Sequence, residues 1–197
     1  MFIVMVEPNA EQPALFDEVP SGPPGFVYRP DVVAPDEEKM LTAEFALLPF
    51  APFQFHQYQG NRRVVSYGWR YDFSGRQLEP AGAMPDFLLG LRVKAGLLAE
   101  RAAEDFAQAL VTEYSPGAGI GWHRDKAVFG DVVGLSFLAP CVLRLRRKVG
   151  EKFERYNVRL APRSAYLLRG VARHDWHHSI AAMQNLRYSV TFRSLSK

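Results

Sequence analysis

Cysteine is nearly missing: Cys141 is the one cysteine in 197 residues. No internal disulfide can form, and a reducing, cytoplasmic setting fits the chain. Long apolar runs are missing too. Nothing approaches the roughly 20 residues that span a bilayer, so no membrane partner is expected. Met1-Phe2-Ile3-Val4-Met5-Val6 has no basic leader and meets Glu7 at once, which is too short for a secretory signal. Internal repeats and low-complexity stretches are absent as well. What remains is 48% hydrophobic and 23% charged, the balance of one globular, monomeric domain with a proper core.

The net charge of +3 hides an asymmetry. Residues 1–100 carry 8 Lys and Arg against 13 Asp and Glu, a balance of −5, whereas residues 101–197 carry 16 against 8, or +8. A basic half favours a polyanionic partner through steering and counterion release, although many basic proteins bind nothing anionic. Nine of the 14 prolines fall in residues 7–52. Residues 1–52 therefore read as an extended N-terminal arm wrapping a body formed by 53–197, with a short helix after Pro35 whose first turn is acidic.

Residues 53–79 interleave rings with cations: Phe53, Tyr58, Arg62, Arg63, Tyr67, Trp69, Arg70, Tyr71 and Phe73. They read first as a hairpin turned at Gln59-Gly60-Asn61, with a loop that offers stacking rings to a splayed base as the alternative, the two being compatible if one face of the hairpin points outward. Met84 to Leu110 reads as two helices. The first has Phe87, Leu88, Leu91, Val93, Leu97 and Leu98 on one apolar face, and the second runs from Ala102 to Leu110. Beyond Asp125 come short β runs: Val132–Leu138, Val142–Arg147, Tyr156–Ala161, Ser164–Leu168 and Arg187–Arg193. Their spacing of about ten residues indicates a sandwich or jelly roll.

Chemistry concentrates in three places. His123 and Asp125, at i and i+2, share a face if extended, with Cα atoms about 6.6 Å apart. Two such ligands need a third, and Arg173-His174-Asp175-Trp176-His177-His178 offers candidates for the facial set of non-haem iron oxygenases. In Arg187-Tyr188-Ser189-Val190-Thr191-Phe192-Arg193, period two sets Arg187, Ser189, Thr191 and Arg193 on one face. That row is either a solvated surface or a clamp for a small dicarboxylate.

These three motifs, Tyr114-x-x-Gly117 leading to His123-x-Asp125, Trp176-x-His178-x-Ile180 and Arg187-x-Ser189-x-Thr191-x-Arg193, resemble those of the AlkB family of iron(II)- and 2-oxoglutarate-dependent dioxygenases. A weaker match, Arg63 to Tyr67-Gly68, is similar to the family's substrate lid, which would place the lid segment at about residues 53–79 of the jelly-roll domain. The resemblance covers about residues 60–195. It implies an α+β, mainly β fold, a double-stranded β-helix (jelly roll) with N-terminal helices packed on one side. It implies iron(II) on His123, Asp125 and His178, with Trp176 and His174 supporting the ligands. 2-Oxoglutarate would be held by Arg187 and Arg193, with hydrogen bonds from Tyr114, Ser189 and Thr112, and dioxygen would be the oxidant. Substrate contacts would come from Arg62, Arg63, Tyr67, Trp69, Arg70 and Trp122. The implied activity is oxidative dealkylation of N-alkylated nucleobases in DNA or RNA, with a single strand preferred, releasing aldehyde, succinate and carbon dioxide. The alternatives are a protein or small-molecule hydroxylase on the same scaffold, and a non-catalytic jelly-roll binding module. Thr112 and Ser189 stand where the family often has Asn, and Lys126 and Ala127 stand where some repair members carry an acid.

Overall fold

Two facing sheets make up most of the computed structural model, which describes residues 22–55 and 58–196. The major sheet has seven strands in the order β1 (Phe26–Arg29), β11 (Ala165–Leu168), β8 (Phe129–Leu138), β13 (Arg187–Leu195), β6 (Gln108–Tyr114), β3 (Tyr58–Tyr67) and β2 (Ala51–Phe55). The minor sheet has four: β10 (Lys152–Leu160), β9 (Cys141–Val149), β12 (His177–Ile180) and β7 (Ile120–His123). A separate hairpin joins β4 (Trp69–Asp72) to β5 (Gln77–Pro80). The result is the expected α+β, mainly β jelly roll, with helices on one side.

Those helices are α1 (Pro35–Ala46) and α2 (Asp86–Ala99). Pro35 and three acids open α1, and the Glu37 carboxylate accepts from the Ala34 N–H, which suits the positive end of a helix. Leu41 and Phe45, at i and i+4, are its buried residues. Phe45 meets the rings of Phe87, Phe137 and Tyr188 at 6.1, 5.2 and 5.6 Å. Leu88, Leu91, Ala95 and Ala99 give α2 a buried stripe at helical spacing. Val93 and Leu97, expected on that face, are exposed, because they lie on the far side of the same helical period.

β13 divides two interiors. Tyr188, Val190 and Phe192 join the core under the helices. Arg187, Ser189, Thr191 and Arg193 are buried on the opposite face, so the polar row is an inner wall, not a solvated surface. A second core of Leu143, Leu145, Leu160, Tyr166, Trp176 and Ile180 lies between the sheets.

Three expectations change. Residues 22–52 are not simply an extended arm: they add β1 to the major sheet, paired with β11, and α1 to its core; residues 1–21 lie outside the described residues. The segment Ala102 to Leu110 is not a helix. Glu100 closes α2 with φ 51°, a single 3-10 turn covers Ala103–Asp105, and β6 follows. The hairpin does not turn at Gln59-Gly60-Asn61, which lie within β3; its register pairs Phe55 with Tyr58.

Candidate active site

β7 and β12 are neighbours in register, with His123 opposite His178, so cross-strand pairing alone sets the two imidazoles side by side. Their ring centroids are 4.2 Å apart. Asp125 lies two residues beyond His123, and its Oδ2 is 3.9 Å from His178 Nε2. The three side chains named from the motif thus converge.

Each is oriented by a further contact. His123 Nδ1 lies 2.9 Å from the Gly121 carbonyl, which keeps the proton on Nδ1 and leaves the Nε2 lone pair available. Asp125 Oδ1 accepts from Arg193 Nε at 2.9 Å and Nη2 at 2.7 Å, whereas Oδ2 is buried without a partner. Burial pushes the Asp125 carboxyl up, but Arg193 and the two imidazoles outweigh it and hold the group well below the usual carboxylate range. Burial, then the His123 ring, pushes His178 down to about 3. The cluster is therefore one anion and neutral imidazoles, the protonation state that metal ligands require.

A metal fits these donors. An orphaned buried carboxylate oxygen is costly in a finished interior, and a cation beside Oδ2 would satisfy it. Among the described residues no three such groups are already drawn to the spacing of a closed site. Two ligand atoms each about 2.1 Å from a metal stand roughly 3.0–3.4 Å apart, so the 3.9 Å between Asp125 and His178 needs only a small side-chain movement.

Behind the cluster the inner wall of β13 continues. Arg187 is 1% exposed; its Nε donates to Ser136 Oγ at 3.0 Å, and its guanidinium lies 5.0 Å from the Tyr114 ring. Its Nη1 has no partner. A buried cation with a free donor calls for an anion, and a carboxylate has the matching two-oxygen geometry. Thr112 and Ser189 face each other across β6 and β13, both buried, and complete a polar pocket between the two arginines.

The structure also brings in residues that the motifs do not name. Gln108 Oε1 accepts from Arg193 Nη1 at 3.0 Å, while its Nε2 donates to the Trp69 carbonyl at 2.9 Å, tying Arg193 to the base of the β4–β5 hairpin. Buried Arg173 donates to the carbonyls of Lys126, Phe129 and Gly130, pinning the loop that follows Asp125. Tyr166 is buried, its ring so near Gly134 that a Cβ there would lie 2.4 Å from it. The alternation Gln108, Leu110, Thr112, Tyr114 could have flagged Gln108; nothing in the local sequence marks Arg173 or Tyr166.

Other expected positions divide. Trp176 is buried between the sheets. His174 is exposed, and its carbonyl accepts from Arg124; Gly170–His174 is a short helix, α3, so strand alternation from His178 does not reach it. Arg63 forms a two-pronged pair with Glu113, at 2.8 and 2.9 Å, and Arg70 pairs with Glu79, so both charges are matched within the protein. Arg62 stacks 3.7 Å from the Phe53 ring centroid. Tyr67 packs against the helical core. Trp122 is half-buried, with Arg144 and Arg146 over its ring. Lys126 sits 5.1 Å from both the Tyr71 and Phe73 rings, so a cation, not an acid, follows Asp125 beside these aromatics.

Residues 35–193 match the model of the 2OG-Fe(II) oxygenase superfamily. An Alkylated DNA repair protein ALKBH8 homolog of Arabidopsis thaliana is 28% identical over 181 residues, covering 80% of this chain and 51% of that protein. The tRNA (carboxymethyluridine(34)-5-O)-methyltransferase alkbh8 of Xenopus tropicalis is also 28% identical, over 82% of this chain and 26% of its own length. The chain thus spans about half of the first relative's length and about a quarter of the second's. The solved structure of OsALKBH1 superposes with a TM-score of 0.59 at 15% identity, over 86% of this chain and 96% of that one.

Proposed function

Because the chain belongs to the 2OG-Fe(II) oxygenase superfamily, as an AlkB-like dioxygenase using iron(II), 2-oxoglutarate and dioxygen, we propose that it oxidatively dealkylates N-alkylated nucleobases. The observation that carries the site assignment is the convergence of His123, Asp125 and His178 with a partnerless Arg187 Nη1 behind them. His123 and His178 offer Nε2 to iron, and Asp125 offers Oδ2. Arg187 takes a carboxylate of 2-oxoglutarate, with Tyr114, Thr112 and Ser189 supplying hydrogen bonds. Arg193 holds Oδ1 of Asp125 and adds positive charge beside the cosubstrate. Bound iron supplies the redox chemistry that couples decarboxylation of 2-oxoglutarate to insertion of oxygen into a C–H bond. An N-methyl substrate becomes N-hydroxymethyl, which sheds formaldehyde, and the products are succinate and carbon dioxide. The names of the relatives, one for alkylated DNA and one for tRNA, support a nucleic-acid substrate in repair or RNA modification.

A second reading, a protein or small-molecule hydroxylase, is favoured by one observation: two of the three lid arginines are already paired with Glu113 and Glu79. One experiment separates them. Iron-loaded protein is offered N-methylated oligonucleotides and methylated peptides, and both succinate and loss of methyl mass are followed. Demethylation of an oligonucleotide, abolished by His123→Ala or Asp125→Ala, supports the first reading; turnover on peptides alone supports the second.

A further inference from the structure

The minor sheet has a second face, opposite to the metal cluster. Along β9, Leu143 and Leu145 point inward and are fully buried, while Arg144, Arg146 and Lys148 alternate outward. On β10, Phe153, Arg155 and Arg159 occupy the same outer side, because antiparallel partners share a face: Phe153 stands opposite Lys148, and Arg155 opposite Arg146. Five cations therefore line one sheet face. Among the described residues none of the five has a carboxylate partner, since the ion pairs of this sheet join Arg147 to Glu154 instead. Direct cross-strand pairing of Arg146 with Arg155 is destabilising by itself. The arginine alkyl stems do not account for it, since a Glu at either position would pack as well and also neutralise the charge.

Rings are set among these charges. Arg146 lies 4.3 Å from the Trp122 ring and 4.6 Å from Phe153, and its Nε is buried without a partner. Phe153 is 40% exposed, a ring on a charged surface with no core to fill. Arg144 donates to Ser179, the residue after His178, and also lines a cavity of about 320 Å³ with Arg62 and Gly119–Gly121. The face thus runs to an opening beside the His123 strand. This is also where the excess charge of residues 101–197 is displayed.

We propose that the outer face of the minor sheet is the docking surface for single-stranded nucleic acid, with phosphates on Arg144, Arg146, Lys148, Arg155 and Arg159 and a base stacked on Phe153. It rests on the nucleobase reading and relocates the strand from the lid, where Arg63 and Arg70 are already paired with Glu113 and Glu79, to this sheet. A charged track with an exposed ring is the pattern that holds a single strand without reading its sequence.

The test uses a fluorescent, unmodified single-stranded oligonucleotide of 12 nucleotides, titrated with the full-length protein at several salt concentrations. The triple variant Lys148→Gln/Arg155→Gln/Arg159→Gln changes exposed side chains and should keep the wild-type Tm or raise it, since Arg155→Gln removes the repulsion with Arg146. Each lost phosphate contact lowers the salt slope by about 0.7 on a single strand, so the variant's slope should be shallower by roughly 2. Phe153→Ala should weaken binding roughly fivefold or more. An unchanged slope and affinity in the triple variant overturns the proposal. So does polyglutamate of equal charge that binds as tightly and loses as much with Phe153→Ala, because the surface would then be a generic polyanion site. Succinate formation without nucleic acid is the separate readout. It should be unaltered in both variants, and a wild type that binds the strand but never demethylates defeats the nucleobase reading while leaving the surface standing.

Discussion

Arg193 joins the Asp125 carboxylate, through Gln108, to the β4–β5 hairpin. It contacts Asp125 through two nitrogens and Gln108 through a third, in an interior where an unpaired carboxylate is expensive. Arg193→Ala should therefore cost about 3–5 kcal/mol of stability, read by urea unfolding of the metal-free protein. Arg193→Lys keeps the charge and loses the fork; it should recover part of the stability and still weaken metal binding. Gln108→Ala should leave Asp125 paired but loosen Trp69, raising KM for substrate more than it lowers kcat. Glu113 makes a pH prediction of definite sign. Its hydrogen bond to Arg63, working against burial, lowers the carboxyl below its ordinary 4.5. The folded state then releases this proton more readily than the unfolded chain does, so the stabilisation is fully present above about pH 4.5. It is lost as the pH falls through the depressed folded value. Glu113→Gln should flatten that acid limb in a series of thermal melts. Arg63 is about half-exposed, with a side chain 49% accessible, so the effect at neutral pH is small.

Among the elements, strands whose residues alternate strictly between polar and apolar were the easiest to read. Leu143-Arg144-Leu145-Arg146 alternates as β9 does, and Arg187 to Arg193 runs as β13 does. β6 escaped because neither of its rows is of one kind: Gln108, Thr112 and Tyr114 share a row with Leu110, and Ala109 and Val111, which face the helical core, share theirs with Glu113. Its leading Ala102-Ala103-Glu104-Asp105 favours a helix locally, and tertiary pairing with β3 and β13 overrides that preference. His123, Asp125 and His178 were legible as a cluster because the pairing of β7 with β12 brings the His-x-Asp pair beside the distant histidine. Arg173, Tyr166 and Ser136 were not, since they reach the site from separate elements and only the register of the sheets unites them. The helices anchor that register from behind. Phe45 on α1 touches Phe87 of α2, Phe137 of β8 and Tyr188 of β13, so Phe45→Ala should cost about 3–5 kcal/mol. Because it lies on the opposite face of β13 from Arg187, iron affinity measured below the new Tm should stay near wild type.

At the scale of the whole molecule, the site is an electrostatic compromise that ligands should complete. The interior holds Arg187 with a free Nη1 and Asp125 with a free Oδ2 at the same time, yet Asp125 is paired with Arg193, six residues along β13 from Arg187, and the two do not neutralise one another. A divalent cation on the carboxylate side and a dicarboxylate on the arginine side would satisfy both. Ligands that bind the folded state alone stabilise by mass action, about 2.7 kcal/mol at a concentration 100 times Kd. For a chain of this length that amounts to a rise in Tm of roughly 5–10 °C. Manganese(II), which supports no turnover in such a melt, should give one increment and 2-oxoglutarate a second that depends on the metal being present. His178→Ala should abolish both, because the carboxylate then has too few neighbours to hold the cation. Arg187→Ala should abolish the second alone. A 2-oxoglutarate increment that survives Arg187→Ala would mean that the cosubstrate's anchor lies elsewhere on the inner wall, with Arg193 the next cation along β13 to carry it.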